Sequence, residues 1–131
     1  MTYLLDTDTC IGVLRHRPGM VQRLSRLVPT DCAVSMVTVY ELLCGVEKAQ
    51  DPIRERQKVE RFVSAIIELP FDRVSANAAA KIRADLERQG QSIGPYDLLI
   101  AGQALANGLT LVTTNVGEFQ RIKELKLESW P

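Results

Sequence analysis

Short apolar runs rich in β-branched residues alternate along this chain with longer segments whose apolar positions recur every three or four residues. The short runs read as strands at Tyr3–Leu5, Ala33–Ser35, Ile66–Leu69 and Thr110–Thr113, with a brief fifth at Leu127–Trp130. The longer segments read as helices. One begins near Thr9, with Asp8 as its expected cap, and another runs through Glu41. Ser75 is placed to cap a third, whose Ala79, Ile82 and Leu86 share one face and which Gly90 ends. Pro95 suits the first position of a fourth, which stops at Asn107-Gly108. Strands alternating with helices imply an α/β fold: a central, mostly parallel sheet flanked by helices on both faces. In such sheets sites form beyond the carboxyl ends of the strands. No repeat, low-complexity tract or linker interrupts the pattern, so residues 1–131 are expected to form one domain.

Composition narrows the chemistry. A hydrophobic fraction of 46% over 131 residues is enough for a real core. No apolar run approaches the roughly 20 residues of a membrane span. No basic lead or long apolar stretch opens the chain, so no signal peptide is expected and the location should be cytoplasmic. Cys10, Cys32 and Cys44 make an odd set without metal-type spacing, which suits reduced thiols. The 16 basic residues balance the 16 acidic ones, which argues mildly against a nucleic-acid binder. That argument weakens if several acids are gathered into one site, because the remaining surface is then net positive. The lone histidine, His16, lies in the basic turn Arg15-His16-Arg17-Pro18. Carboxylate and metal chemistry is therefore expected rather than histidine acid–base chemistry.

Four acids stand where strand or loop passes into helix: Asp6, Glu41, Asp97 and Glu118. Carboxylates so placed can converge at one sheet edge and hold a hard divalent cation through oxygen. Asp6 ends a buried-looking strand, where a carboxylate is costly unless it is paired, hydrogen-bonded or bound to metal. It lies one residue too early for the expected cap. Glu41 has two readings. With Thr38 it fits a capping box, but if Ser35 is the cap it stands one to two turns inside a helix. Asp97 falls in the first turn of a segment that is apolar almost all round, where a dipole interaction alone is worth about 0.3–1 kcal/mol. Glu118 is a first-turn acid close to Thr113, Thr114 and Asn115. Gly90-Gln-Ser92-Ile-Gly94 matches the nucleophile-elbow spacing, but a polar helix precedes it and no histidine follows it, so it reads as a loop.

Taken together these stretches resemble the PIN-domain ribonucleases, and among them the VapC-type toxins of type II toxin–antitoxin pairs. The resemblance rests on Leu4-Leu-Asp6-Thr7, Ser35-x-x-Thr38-x-x-Glu41-Leu-x-x-Gly45, Ile93-Gly94-Pro95-x-Asp97-x-x-Ile100-Ala101 and Leu111-Val-Thr-Thr-Asn115-x-x-Glu118-Phe119. These occur in the family's order, and the likeness runs from about Tyr3 to Trp130. It implies a PIN-like domain and an endoribonuclease dependent on Mg²⁺, with Mn²⁺ able to substitute. Asp6, Glu41 and Asp97 become the metal-binding acids and Glu118 a further catalytic acid. Asn115 stands where many relatives place Asp, so either Asn115 or Glu118 fills the fourth position, and Thr7 and Thr113 give support. The implied substrate is structured RNA, with tRNA ahead of ribosomal RNA. The implied partners are a small DNA-binding, VapB-like antitoxin and a second copy of the chain. Arg15, Arg17, Arg83 and Arg88 are candidate phosphate contacts, with Arg23 and Arg26 also available.

Two other readings stay open. A receiver-like signalling module shares size, class and Mg²⁺ binding, but Asp72 is a poor phosphate acceptor and no lysine occurs between Lys81 and Lys123. A PIN fold used only for binding would have no need of the full acid set.

Overall fold

A computed structural model describes all residues, 1–131. Its five strands are β1 (Tyr3–Leu5), β2 (Cys32–Ser35), β3 (Ile67–Leu69), β4 (Thr110–Val112) and β5 (Leu127–Glu128). Seven helices connect and flank them: α1 (Thr7–Leu14), α2 (Pro18–Ser25), α3 (Met36–Glu47), α4 (Pro52–Ser64), α5 (Arg73–Arg88), α6 (Pro95–Ala106) and α7 (Val116–Phe119). The sheet order is β3-β2-β1-β4-β5, and every pairing is parallel. The expected sheet is thus entirely parallel.

Register sorts the core into two layers. Leu4 pairs with Ala33 and Leu111, and all three belong to one buried cluster with residues of α5, α6 and α7. Leu5 pairs with Val34 and Val112, which pack on the opposite side with residues of α1 to α4. Because side chains alternate along a strand, three short strands supply both cores at once. This explains why the runs read as continuous apolar segments rather than alternating ones. Trp130 is buried in the second cluster, just beyond the end of β5. No helix is long and apolar enough to cross a membrane.

Two helix starts differ from expectation. Asp6, not Asp8, caps α1: its side chain accepts from the Thr9 amide at 2.8 Å, and the helix begins at Thr7. Asp72, not Ser75, caps α5, accepting from the Ser75 amide at 2.9 Å. Ser75 lies inside the first turn, buried, while Gly90 follows the helix with φ +68°. Ala79, Ile82 and Leu86 face the core as expected. The close contact of α5 with α6 depends on Gly102, where an added Cβ would lie 2.7 Å from the Ala79 backbone.

Candidate active site

In this sheet order the chain runs outward from β1 through β2 to β3, then returns to place β4 on the other side of β1. The direction reverses between β1 and β4, and parallel sheets open a crevice there beyond the strand ends. Asp6 emerges from β1 directly into that crevice. Its amide donates to the Val112 carbonyl at 3.0 Å, and the Thr9 hydroxyl donates to the same oxygen at 3.1 Å. Asp6 is only 2% exposed. Burial pushes its carboxyl above the ordinary range, while the Thr113 hydroxyl and the Thr9 amide pull it back. Capping and site placement are therefore one feature, since the cap residue of α1 is also the last residue before the crevice.

Glu41 is settled by α3. Ser35 caps this helix, accepting from the Val37 amide at 3.0 Å, so no capping box forms at Thr38 and Glu41 lies within the helix. The Thr7 hydroxyl donates to Glu41 Oε1 at 2.7 Å, and the buried Thr38 hydroxyl lies 3.0 Å from Thr7 Oγ1. Thr7 has one proton to give, so it serves the carboxylate and accepts from Thr38. The result ties α1 to α3 and holds Glu41 against Thr7, the residue after Asp6.

Asp97 enters from the first turn of α6. That helix is buried along Leu98, Ile100, Ala101, Gly102, Gln103 and Ala104. Its polar exception, Gln103, donates to the Leu69 and Pro70 carbonyls at 3.0 and 2.9 Å, anchoring α6 to the end of β3. Asp97 is pushed up to about 6, first by burial, then by the charges of Glu118, Asp6, Glu41 and Asp8. All four perturbing charges are acids, so negative charge is concentrated around Asp97. Asp8, expected only as a cap, contributes to this field from an exposed position.

Glu118 lies in α7 and is held by local donors. The Gly94 amide donates to Oε1 at 3.0 Å and the Asn115 side-chain amide donates to Oε2. The Asn115 backbone in turn donates to Thr113 Oγ1 at 2.9 Å. Glu118 thereby fixes the residue that precedes the start of α6, and Asn115 touches Glu118 rather than standing alone.

The arginines divide by place. Arg15 and His16 line a groove of about 560 Å³ that reaches Glu41 and also includes Lys58 of α4. Arg17 is the exposed residue before α2. Arg23 lies over the Tyr3 and Trp130 rings, 3.5 Å from Glu128. Arg83 pairs with Glu87, and Arg88 with Asp85, along α5. Arg121, which the sequence pattern did not single out, donates to the Ser92 carbonyl at 2.7 Å beside Glu118.

The donors facing the crevice are all oxygens, the preference of a hard cation. No three His, Cys, Asp or Glu side chains form a group able to grip one ion between them. Mg²⁺ does not require that grip, since it keeps several waters and is commonly held by one or two carboxylates.

Residues 3–125 match the PIN domain family. The chain is 40% identical to the tRNA(fMet)-specific endonuclease VapC of Shigella flexneri, over 99% of this chain and 98% of that one. A solved DNA-bound VapBC from Salmonella typhimurium superposes with a TM-score of 0.95 at 37% identity, covering 100% of this chain and 99% of the matched one. VapBC2 of Rickettsia felis, bound to a fragment of its promoter, superposes at 0.94 with 34% identity, each chain covered in full at 100%. The chain belongs to the PIN-domain family, within its VapC ribonuclease branch.

Proposed function

We propose that this chain is the toxin of a type II toxin–antitoxin pair, an endoribonuclease that cuts structured RNA in the cytosol. A tRNA is the preferred substrate, in line with the tRNA(fMet) specificity named for the Shigella flexneri relative, and ribosomal RNA is the second choice. The observation that carries this reading is the crowding of acids at the β1–β4 crevice, where burial and then neighbouring acids hold Asp97 at about 6. Such a cleft is unfavourable without a cation, and metal-assisted RNA hydrolysis would use one there.

Asp6 and Asp97 would hold Mg²⁺ or Mn²⁺ together with water, and Glu41 would reach the ion through one of those waters. When bound, the ion would supply an acidified water and a counter-charge for the phosphate. The chain's own contributions are positional. Thr7 fixes the Glu41 carboxylate, Thr113 and the Thr9 amide fix Asp6, and Glu118 with Asn115 fixes the start of α6. Arg15, lining the groove at Glu41, would meet a phosphate flanking the cut, and Lys58, now paired with Glu55 in the same groove, would turn to a second. The partner is a small VapB-like antitoxin, in keeping with the VapBC assemblies of the structural relatives. A second copy of the chain is the other partner in this reading.

The test is cleavage of total tRNA by purified protein with Mg²⁺, compared with Asp97→Asn. Specific fragments from wild type alone support the reading. Equal fragments from both would remove Asp97 from the site.

A further inference from the structure

We propose that Tyr40 and Tyr96 form a stacking platform for a nucleobase of single-stranded RNA beside the bond that the acid cleft cuts. The proposal rests on the ribonuclease reading above. The two rings come from different helices, α3 and α6, and meet edge to face with centroids 5.7 Å apart at 62°. Both remain open to solvent, at 51% and 43% exposure. Each immediately precedes a cleft acid, Glu41 or Asp97. Successive helical residues are rotated by about 100°, so each ring diverges from its neighbouring carboxylate and stays exposed a residue away from it.

A base suits this rim better than a second copy of the chain. Met36, 41% exposed and one turn before Tyr40, is the third large apolar side chain at hand. A stable dimer buries about 800 Å² on each partner, which is more than three side chains provide. The other exposed large apolar residues include Val21, Ile53 and Val74, on α2, α4 and α5. An aromatic face accepts any base, and such stacking is worth about 1–3 kcal/mol per base, roughly 5- to 150-fold in affinity. Because each base lies one sugar from its phosphate, a platform beside the acids would steady the strand where it is cut.

The test uses the full chain and a single-stranded oligoribonucleotide carrying 2-aminopurine, whose fluorescence falls on stacking. Binding is read in EDTA, without turnover. Tyr40→Leu and Tyr96→Leu keep apolar bulk but lose the π face, and Tyr96→Phe keeps the face. Wild type and Tyr96→Phe are expected to quench the probe. The Leu variants should bind roughly 5- to 150-fold more weakly and, with Mg²⁺, show a raised KM at a kcat close to wild type. An abasic oligonucleotide should bind wild type and Leu variants alike. Leu variants that bind the probe as tightly as wild type would overturn the platform. So would a fall in solution mass from two chains to one that accounts for the loss, since the rim would then be a contact between copies. Wild type that quenches the probe but cuts no RNA would overturn the ribonuclease reading and leave the platform standing.

Discussion

At Glu41 a charge and a hydrogen bond can be separated. The Thr7 hydroxyl donates to Oε1 at 2.7 Å, and a glutamine offers an acceptor in the same place. Glu41→Gln is therefore expected to keep its melting temperature while losing RNA cleavage by roughly 10- to 100-fold, a typical scale for disturbing a metal site's surroundings. Unchanged cleavage would return Glu41 to a structural role. Asp97 gives a pH prediction. Its folded value is about 6 against an ordinary 3.8, so between those values the folded protein holds a proton that the unfolded chain has released. Stability of the metal-free protein then falls as pH rises from about 4 to about 6, and the penalty is complete above that. Asp97→Asn removes the penalty. Solvent screening of this half-buried group keeps the gain near about 1 kcal/mol. In EDTA at neutral pH the variant should melt roughly 2–5 °C higher than wild type, with the difference gone near pH 4. A lower melt at neutral pH would contradict the crowding of acids.

Helix starts connect stability to function at the scale of elements. Asp6 both caps α1 and faces the crevice, so its substitutions should split. Asp6→Asn retains a good cap and relieves the same crowding, so it should lose cleavage without losing stability. Asp6→Ala should lose cleavage and also about 0.5–2 kcal/mol of stability. Equal melts for the two would show that the 2.8 Å bond to the Thr9 amide contributes little. The α5–α6 contact makes a second prediction: Gly102→Ala places a methyl 2.6 Å from Ala79 Cβ and 2.7 Å from its backbone. Neither helix has a flexible side chain there to yield, so a loss of about 1–3 kcal/mol is expected in chemical denaturation. The strands were legible because parallel strands buried on both faces carry unbroken apolar runs, as Leu4-Leu5 and Ala33-Val34 do. The caps were less legible. Asp6 and Asp8 are equally good cap residues, and only the backbone's exit from β1 selects the first. At α5 it is the extended backbone of Asp72, following β3, that makes it and not Ser75 the cap. The tyrosine pair left no signal in the sequence, because an edge-to-face contact between α3 and α6 exists only once the sheet has brought them together. Arg121 and Lys58 likewise acquire their places from the packing of α7 and α4.

Over the whole molecule charge is balanced, 16 against 16, yet it is not evenly placed. The acids that raise Asp97 sit together in one cleft, while Arg15 and His16 lie in the groove that runs up to Glu41, where Lys58 is paired with Glu55. RNA affinity should therefore weaken as salt rises, and EDTA should stop cleavage until Mg²⁺ or Mn²⁺ is returned. The same asymmetry says how an antitoxin could silence the enzyme. A partner's arginine inserted among the acids would relieve their repulsion, and its planar fork can bind a carboxylate through two hydrogen bonds. The partner's apolar residues would pack beside it on Val13, Leu14 and the exposed Val21 of the early helices. Such a partner should stabilise wild type more than Asp97→Asn in EDTA, because the variant has less repulsion to relieve. The measurement is co-expression with the cognate antitoxin, changing each basic residue of its toxin-binding segment to Ala and reading binding and residual RNA cleavage. At least one change is expected to restore cleavage. If every variant inhibits as well as the native partner, the cleft is not the point of contact, and inhibition must act by covering the RNA path or the contact between copies.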